Sequence, residues 1–304
     1  MSVQIRDVTL RDGLQLVGRG LPTARKVELV RELFALGVDQ IEVGSMARPD
    51  LIPALADTLD VVAALEPEER DRLWVWTATP RHVERAAAAG LRRFAYCLSA
   101  SDSHNRANLG RPTETSLDAM PDAIAVAREA GGVVQLCIAT AFTCPFEGIV
   151  PSRRLAEILD DERTDGAVDV VIGDTLGQTH PAEAGARTAL VARHRPGLGV
   201  VFHGHDTWGL GVANAVAAVD NGATVVDGAL GGLGGCPFAP GASGNTATED
   251  LAFALRPDWV APESFAALVR LGEDVTGTLD EPNRARTRAG ARSDAHAFPW
   301  VLPA

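Results

Sequence analysis

A single α/β chain of (β/α)8 barrel architecture, with a short C-terminal helical extension, is predicted by three observations. Short β-branched runs alternate strictly with Ala/Leu/Arg-rich stretches of helical period, the pattern that builds parallel sheets. The alternation repeats eight times, the number that closes a barrel of about 250 residues, and the chain has 304. The first strand runs into Leu10-Arg11-Asp12-Gly13, not into the GxGxxG turn that marks an open doubly wound sheet.

The strands are read at 4–10, 39–44, 73–78, 93–99, 133–140, 168–174, 200–206 and 224–230. Between them lie helical patterns at 23–36, 50–65, 80–89, 116–130, 151–160, 181–193 and 208–221, with an eighth at 245–255. Pro22-Thr23, Thr79-Pro80, Pro151-Ser152 and His180-Pro181 supply a cap or an early proline at a first turn. Gly37, Gly90, Gly131 and Gly222 fall where helices stop. Residues 1–255 are expected to form the catalytic barrel. Residues 256–304, with one more helix over 262–275 and a polar tail, are expected to pack on it without a Gly/Ser linker.

Composition removes several functions. There are 28 Lys+Arg against 40 Asp+Glu, a net charge of −12, with no basic run. Nucleic acid and anionic membrane surfaces need clustered cations and are not expected partners. Lys26 is the single lysine, and it falls in the first turn of a helix, away from strand ends, badly placed for Schiff-base or P-loop chemistry. At 46% hydrophobic and 22% charged, the chain can fill a large core. No apolar run approaches the roughly 18 residues of a spanning helix, and the N-terminus reads as a strand rather than a targeting segment. Cys97, Cys137, Cys144 and Cys236 are scattered without CxxC spacing, which fits a reducing cytoplasm better than disulfides or zinc–thiolate binding.

Chemistry in such a barrel gathers where strands end. Strand one ends in Arg11-Asp12, and strand seven in His203-Gly204-His205-Asp206. Residues two apart on a strand share a face, so both imidazoles can reach one point. With Asp12 they make a two-histidine, one-carboxylate set, suited to Mn, Fe, Co or Zn and tolerant of Mg. After strand eight, residues 231–245 hold six glycines and two prolines around Cys236. A loop so rich in chain breakers exceeds what a turn needs, and its thiol is a candidate proton donor or nucleophile.

These residues resemble a known family. Arg11-Asp12-Gly13-Leu14-Gln15, His203-Gly204-His205-Asp206-Thr207 and Gly232-Leu233-Gly234-Gly235-Cys236-Pro237, followed by Gly241-Ala242-Ser243-Gly244-Asn245, resemble the 3-hydroxy-3-methylglutaryl-CoA (HMG-CoA) lyases. That family lies within a superfamily of metal-dependent TIM-barrel lyases and Claisen condensing enzymes. Glu42-Val43-Gly44-Ser45, Cys144-Pro145-Phe146-Glu147-Gly148 and Gly173-Asp174-Thr175-Leu176-Gly177 add to the likeness, which runs from about Val3 to Leu255.

The resemblance implies that Asp12, His203, His205 and Asn245 hold a divalent cation, Mg2+ or Mn2+, with Co2+ or Zn2+ also compatible. It implies Arg11 as the catalytic arginine and Cys236 as the loop thiol that enters the site. Gln15, Glu42, Ser45 and Asp174 match positions around the substrate or behind the ligands, and His104 and Asn108 lie in a segment that resembles one of bacterial members. Asp12 and His203 are both candidates for the base. The implied reaction is retro-Claisen cleavage of HMG-CoA, or a related 3-hydroxyacyl-CoA, to acetyl-CoA and acetoacetate. Arg48, Arg106 and Arg111 are candidates for gripping CoA phosphates, and a cytoplasmic homodimer is the implied form. Departures include Leu10 before Arg11, Leu16-Val17-Gly18 after Gln15, and Phe238 where a tyrosine is usual. The competing expectations are a lyase or aldolase for another hydroxyacyl-CoA or hydroxy acid, or a condensing synthase of the isopropylmalate or homocitrate kind. A non-catalytic barrel scaffold is the third.

Overall fold

The computed structural model describes residues 3–235, 237–238, 241–295 and 297–302. Among them, eight parallel strands close a barrel: β1 Gln4–Asp7, β2 Gln40–Ser45, β3 Leu73–Thr77, β4 Arg93–Ser99, β5 Val133–Ala139, β6 Asp169–Asp174, β7 Gly199–Gly204 and β8 Val225–Gly228. Each strand pairs with its sequence neighbour, and β8 closes on β1 with Gln4 opposite Val225 and Asp7 opposite Gly228. Helices surround the sheet, so each strand has one face on them and one in the barrel interior.

Most strands stop earlier than their apolar pattern, because the last residues turn into loops that carry chemistry. β1 is the clearest case. Asp7 accepts the Thr9 amide at 2.9 Å and the Thr248 hydroxyl at 2.7 Å, which bends the chain into a wide π-helical turn over Thr9–Gly13. Prolines divide two predicted helices. The 50–65 stretch becomes a 3-10 turn, Pro53–Leu55, and a helix, Thr58–Ala63. The 116–130 stretch splits into Thr113–Asp118 and Met120–Glu129, with Pro121 in the first turn of the second. The last barrel helix begins at Thr248 rather than at 245, which leaves Asn245 extended and bridged to His205.

Several elements lie outside the sequence expectation. Helix Asp102–Leu109 occupies a stretch read as loop, and the Ser101 side chain caps it by accepting the His104 amide at 3.2 Å. A small hairpin pairs Thr143–Cys144 with Gly148–Ile149, and helix Arg286–Ala291 lies in the tail. Lys26 is buried on the barrel's outer layer, where it donates to the Ala54 carbonyl and pairs with Asp57. No helix among the described residues is long and apolar enough to cross a membrane.

Helix Pro262–Leu279 packs on Thr248–Leu255 and on the turn Leu230–Gly232 that follows β8. Glu249 sits in that contact, fully enclosed, its two oxygens each 3.0 Å from the Gly231 amide. The approach requires glycine at 272, since a Cβ there would lie 1.7 Å from Glu249 Oε1. Burial pushes this carboxyl up to about 8 from an ordinary 4.5. Between those values the folded protein holds a proton that the unfolded chain has lost, so stability falls as pH rises through this window. Glu249→Gln should remove that slope. Its melting temperature relative to wild type should climb from about pH 5 to about pH 8; a pH-independent difference in circular-dichroism melts would refute the buried neutral acid.

Candidate active site

The ends of β1 and β7 and one loop converge at the C-terminal end of the barrel. Asp12 comes from the turn after β1, His203 lies in β7 and His205 follows it, and Asn245 is drawn in by its bridge to His205. Asp12 Oδ2 is the meeting point. Asn245 Nδ2 donates to it at 2.9 Å, His205 Nε2 lies 3.2 Å away and His203 Nε2 4.0 Å away. One ligand-type atom from each of Asp12, His203 and His205 falls within 4.8 Å of the others. Asn245 Oδ1 and His205 Nδ1 are buried without a hydrogen-bond partner among the described residues. A buried amide oxygen lacking a donor, beside two imidazoles and a carboxylate, is a donor set with capacity for a divalent cation. These residues fit the metal that the sequence implied, and their nitrogen and oxygen atoms admit several ions.

His203 is oriented from behind. Its Nδ1–H donates to Asp227 Oδ2 at 3.0 Å, which turns Nε2 toward Asp12. Asp227 is itself held by a two-pronged pair from Arg6, at 2.8 and 2.7 Å, while Arg6 Nη1 donates to Gln135 at 2.7 Å. Burial opposes a charge on His203, but Asp227 outweighs it and the net shift is upward. Burial likewise works against ionised Asp12, and the Arg11 guanidinium reverses this, holding the carboxyl far below its usual range.

Arg11 bonds to Asp12, reaches Glu42 Oε2 at 3.4 Å and lies 6.0 Å from the Trp76 ring. Glu42 is buried, and that burial raises its carboxyl despite Arg11 and Arg6. A cavity of about 300 Å3 opens beside this cluster. Of the sequence-predicted residues, Arg11, Asp12, Gln15, Glu42, Ser45, His104, Asn108, His203 and His205 line it. Ser45 Oγ accepts the Ala47 amide at 3.0 Å. His104 bonds through Nδ1 to Ser99 Oγ at 2.7 Å, and burial depresses it to about 4, so the ring is neutral. Its edge meets Phe238 at 5.0 Å, with Phe146 5.9 Å from Phe238.

Asp174 is not among the lining residues. Its two oxygens accept the Gln178 and Thr179 amides at 3.1 and 3.2 Å, holding the turn after β6. Cys236 lies outside the described residues, while its neighbours Gly235, Pro237 and Phe238 line the cavity. Arg111 is committed to Ser116 and to the Ala78 carbonyl; Arg106 pairs with Asp102, and exposed Arg48 with Asp50. Sequence reasoning missed Asp227, Arg6 and Gln135. Each is a polar side chain inside an apolar strand run, and that placement is the signal that could have found them.

A closed (β/α)8 barrel with a two-histidine, one-carboxylate cluster at its strand ends defines an enzyme class with a site of divalent-cation type. The HMGL-like family model matches residues 2–274. Hydroxymethylglutaryl-CoA lyase YngG of Bacillus subtilis is 36% identical over 255 residues, 84% of this chain and 85% of its own. The (R)-citramalyl-CoA lyase of Chloroflexus aurantiacus is 36% identical over 293 residues, 92% of each chain. Among solved structures, a Bacillus subtilis HMG-CoA lyase superposes with a TM-score of 0.88 at 31% identity, covering 96% of this chain and 98% of its own. An Acinetobacter HMG-CoA lyase in complex with coenzyme A and 3-methylmalate gives 0.88 at 30% identity, covering 99% and 98%. The chain belongs to the HMGL-like family and is a lyase.

Proposed function

We propose that this enzyme cleaves a branched 3-hydroxyacyl-CoA, with HMG-CoA as the substrate, to acetyl-CoA and acetoacetate. The observation that carries the reading is the convergence of His203, His205 and Asn245 on Asp12 Oδ2, with Arg11, Asp12 and both histidines lining the cavity. Asp12, His203, His205 and the Asn245 amide oxygen would hold Mg2+ or Mn2+. Bound there, the cation would lower the pKa of the substrate hydroxyl and fix its orientation.

The chain's own residues supply the rest. Loss of the hydroxyl proton, to His203 or Asp12, lets the C2–C3 bond break, and its electron pair moves onto the thioester as an enolate. Arg11, fixed by Asp12 and Glu42, donates to the thioester oxygen and stabilises that charge without reorganising. Cys236, by its place in the glycine-rich loop, protonates the enolate carbon and releases acetyl-CoA. Gln15, Ser45, His104 and Asn108 line the cavity and would face the acyl group; neutral His104 suits hydrogen bonding better than charge pairing. Asp174 acts through the turn that it holds.

A second reading keeps the site and changes the acyl group. The (R)-citramalyl-CoA lyase is as similar in identity as the HMG-CoA lyase and is matched over more of the chain. Citramalyl-CoA would break by the same electron flow to acetyl-CoA and pyruvate. Purified enzyme with Mg2+ or Mn2+ should release acetoacetate from HMG-CoA with a kcat/KM at least about tenfold above its release of pyruvate from citramalyl-CoA, a gap within reach of acyl-pocket discrimination. The opposite ratio assigns the second reading, and no thioester cleaved from either removes both.

A further inference from the structure

Two thiols far apart in the sequence meet in the barrel wall. Cys97 on β4 and Cys137 on β5 are partners in the parallel register, and both line the cavity. Adjacent strands run about 4.8 Å apart, inside the Cα separation that a disulfide spans. Cys97 is buried against Trp76, and Cys137 is partly accessible. The two side chains interact directly. The neighbouring Cys137 and the positive charge of Arg11 lower the Cys97 thiol against its burial, while Cys97 and burial push Cys137 up. A thiolate beside a thiol is the arrangement that reacts with peroxides and resolves within itself. Cys144 differs: its sulfur is engaged by Ser101 Oγ at 2.9 Å and the Phe146 and Glu147 amides, and it does not line the cavity.

We propose that Cys97 and Cys137 form a hydroperoxide-reactive dithiol in the wall of the cavity, converted to a disulfide when peroxide enters. The Cys97 thiolate attacks one peroxide oxygen, the O–O bond breaks, and the departing hydroxide takes a proton to leave as water. The Cys137 sulfur, giving up its proton, then attacks the Cys97 sulfenic acid. The S–S bond forms, the S–O bond breaks, and the second oxygen leaves as water. Two thiols lose two electrons and two protons, and one peroxide is reduced to two waters. The bond would tie β4 to β5 and withdraw the anionic sulfur from Arg11.

Peptide mapping of the reduced full-length protein, treated with limiting hydrogen peroxide and then alkylated, tests this without reference to the acyl substrate. The major product should be a linked Cys97–Cys137 peptide, with Cys144 alkylated. Cys137→Ser should trap the sulfenic acid, giving a dimedone adduct on Cys97 that wild type lacks. A wild-type protein without the linked peptide, or one that links Cys97 or Cys137 mainly to Cys144 or Cys236, overturns the proposal.

Discussion

Arg11→Ala should lower turnover of HMG-CoA by about 10²–10³-fold, the scale of removing one preorganised donor to a developing oxyanion, while the barrel stays folded. The arginine is set between Asp12 and Glu42 over Trp76, so its donors point at a fixed place before substrate arrives. Its loss should not cost metal. Asp12 would lose its cationic neighbour, and the site should bind Mn2+ at least as well as in wild type by titration calorimetry. Arg11→Lys should recover little, because an ammonium keeps the charge without the planar fork. Turnover of the alanine variant within a few-fold of wild type would leave the enolate without its proposed stabiliser.

His205→Ala should do the reverse, weakening Mn2+ binding first and losing turnover as a consequence. The ring is buried, its Nε2 faces Asp12, and the oxygen of its neighbour Asn245 has no hydrogen-bond partner among the described residues. Removing it deletes one donor from the set and should cost at least about 100-fold in affinity. Asp227→Asn should cost about 10- to 100-fold, the range for residues that orient a metal-binding histidine. Calorimetry with Mn2+ alone reads both effects. Wild-type binding in His205→Ala would exclude this cluster as the cation site.

The barrel was legible because its signals are local. Alternating patterns, prolines at helix starts and glycines at their ends identified eight strands in order. Asp12, His203 and His205 were legible because they sit at strand ends with the right parity. What stayed hidden depends on geometry that no short window carries. Asn245 stands at the start of the helical pattern read over 245–255, yet the bridge to His205 holds its backbone extended. Asp227 and Arg6 lie 221 positions apart and become meaningful only when β8 closes on β1. Helix 102–109 is polar along most of its length and shows little apolar periodicity; its cap at Ser101 was the available sign. The two cysteines looked unrelated because sheet register, not spacing, makes them neighbours.

Closure of β8 on β1 also sets a timetable for synthesis. Donors at positions 12, 203, 205 and 245 cannot gather until most of the chain has left the ribosome. The charged Arg6 side chain has no Asp227 to meet until then. Contacts of such long sequence separation form late and slowly. A nascent chain of this protein is therefore unable to capture a cation prematurely at this cluster. Competence for metal and barrel closure should arrive together, making ion uptake a late step of maturation.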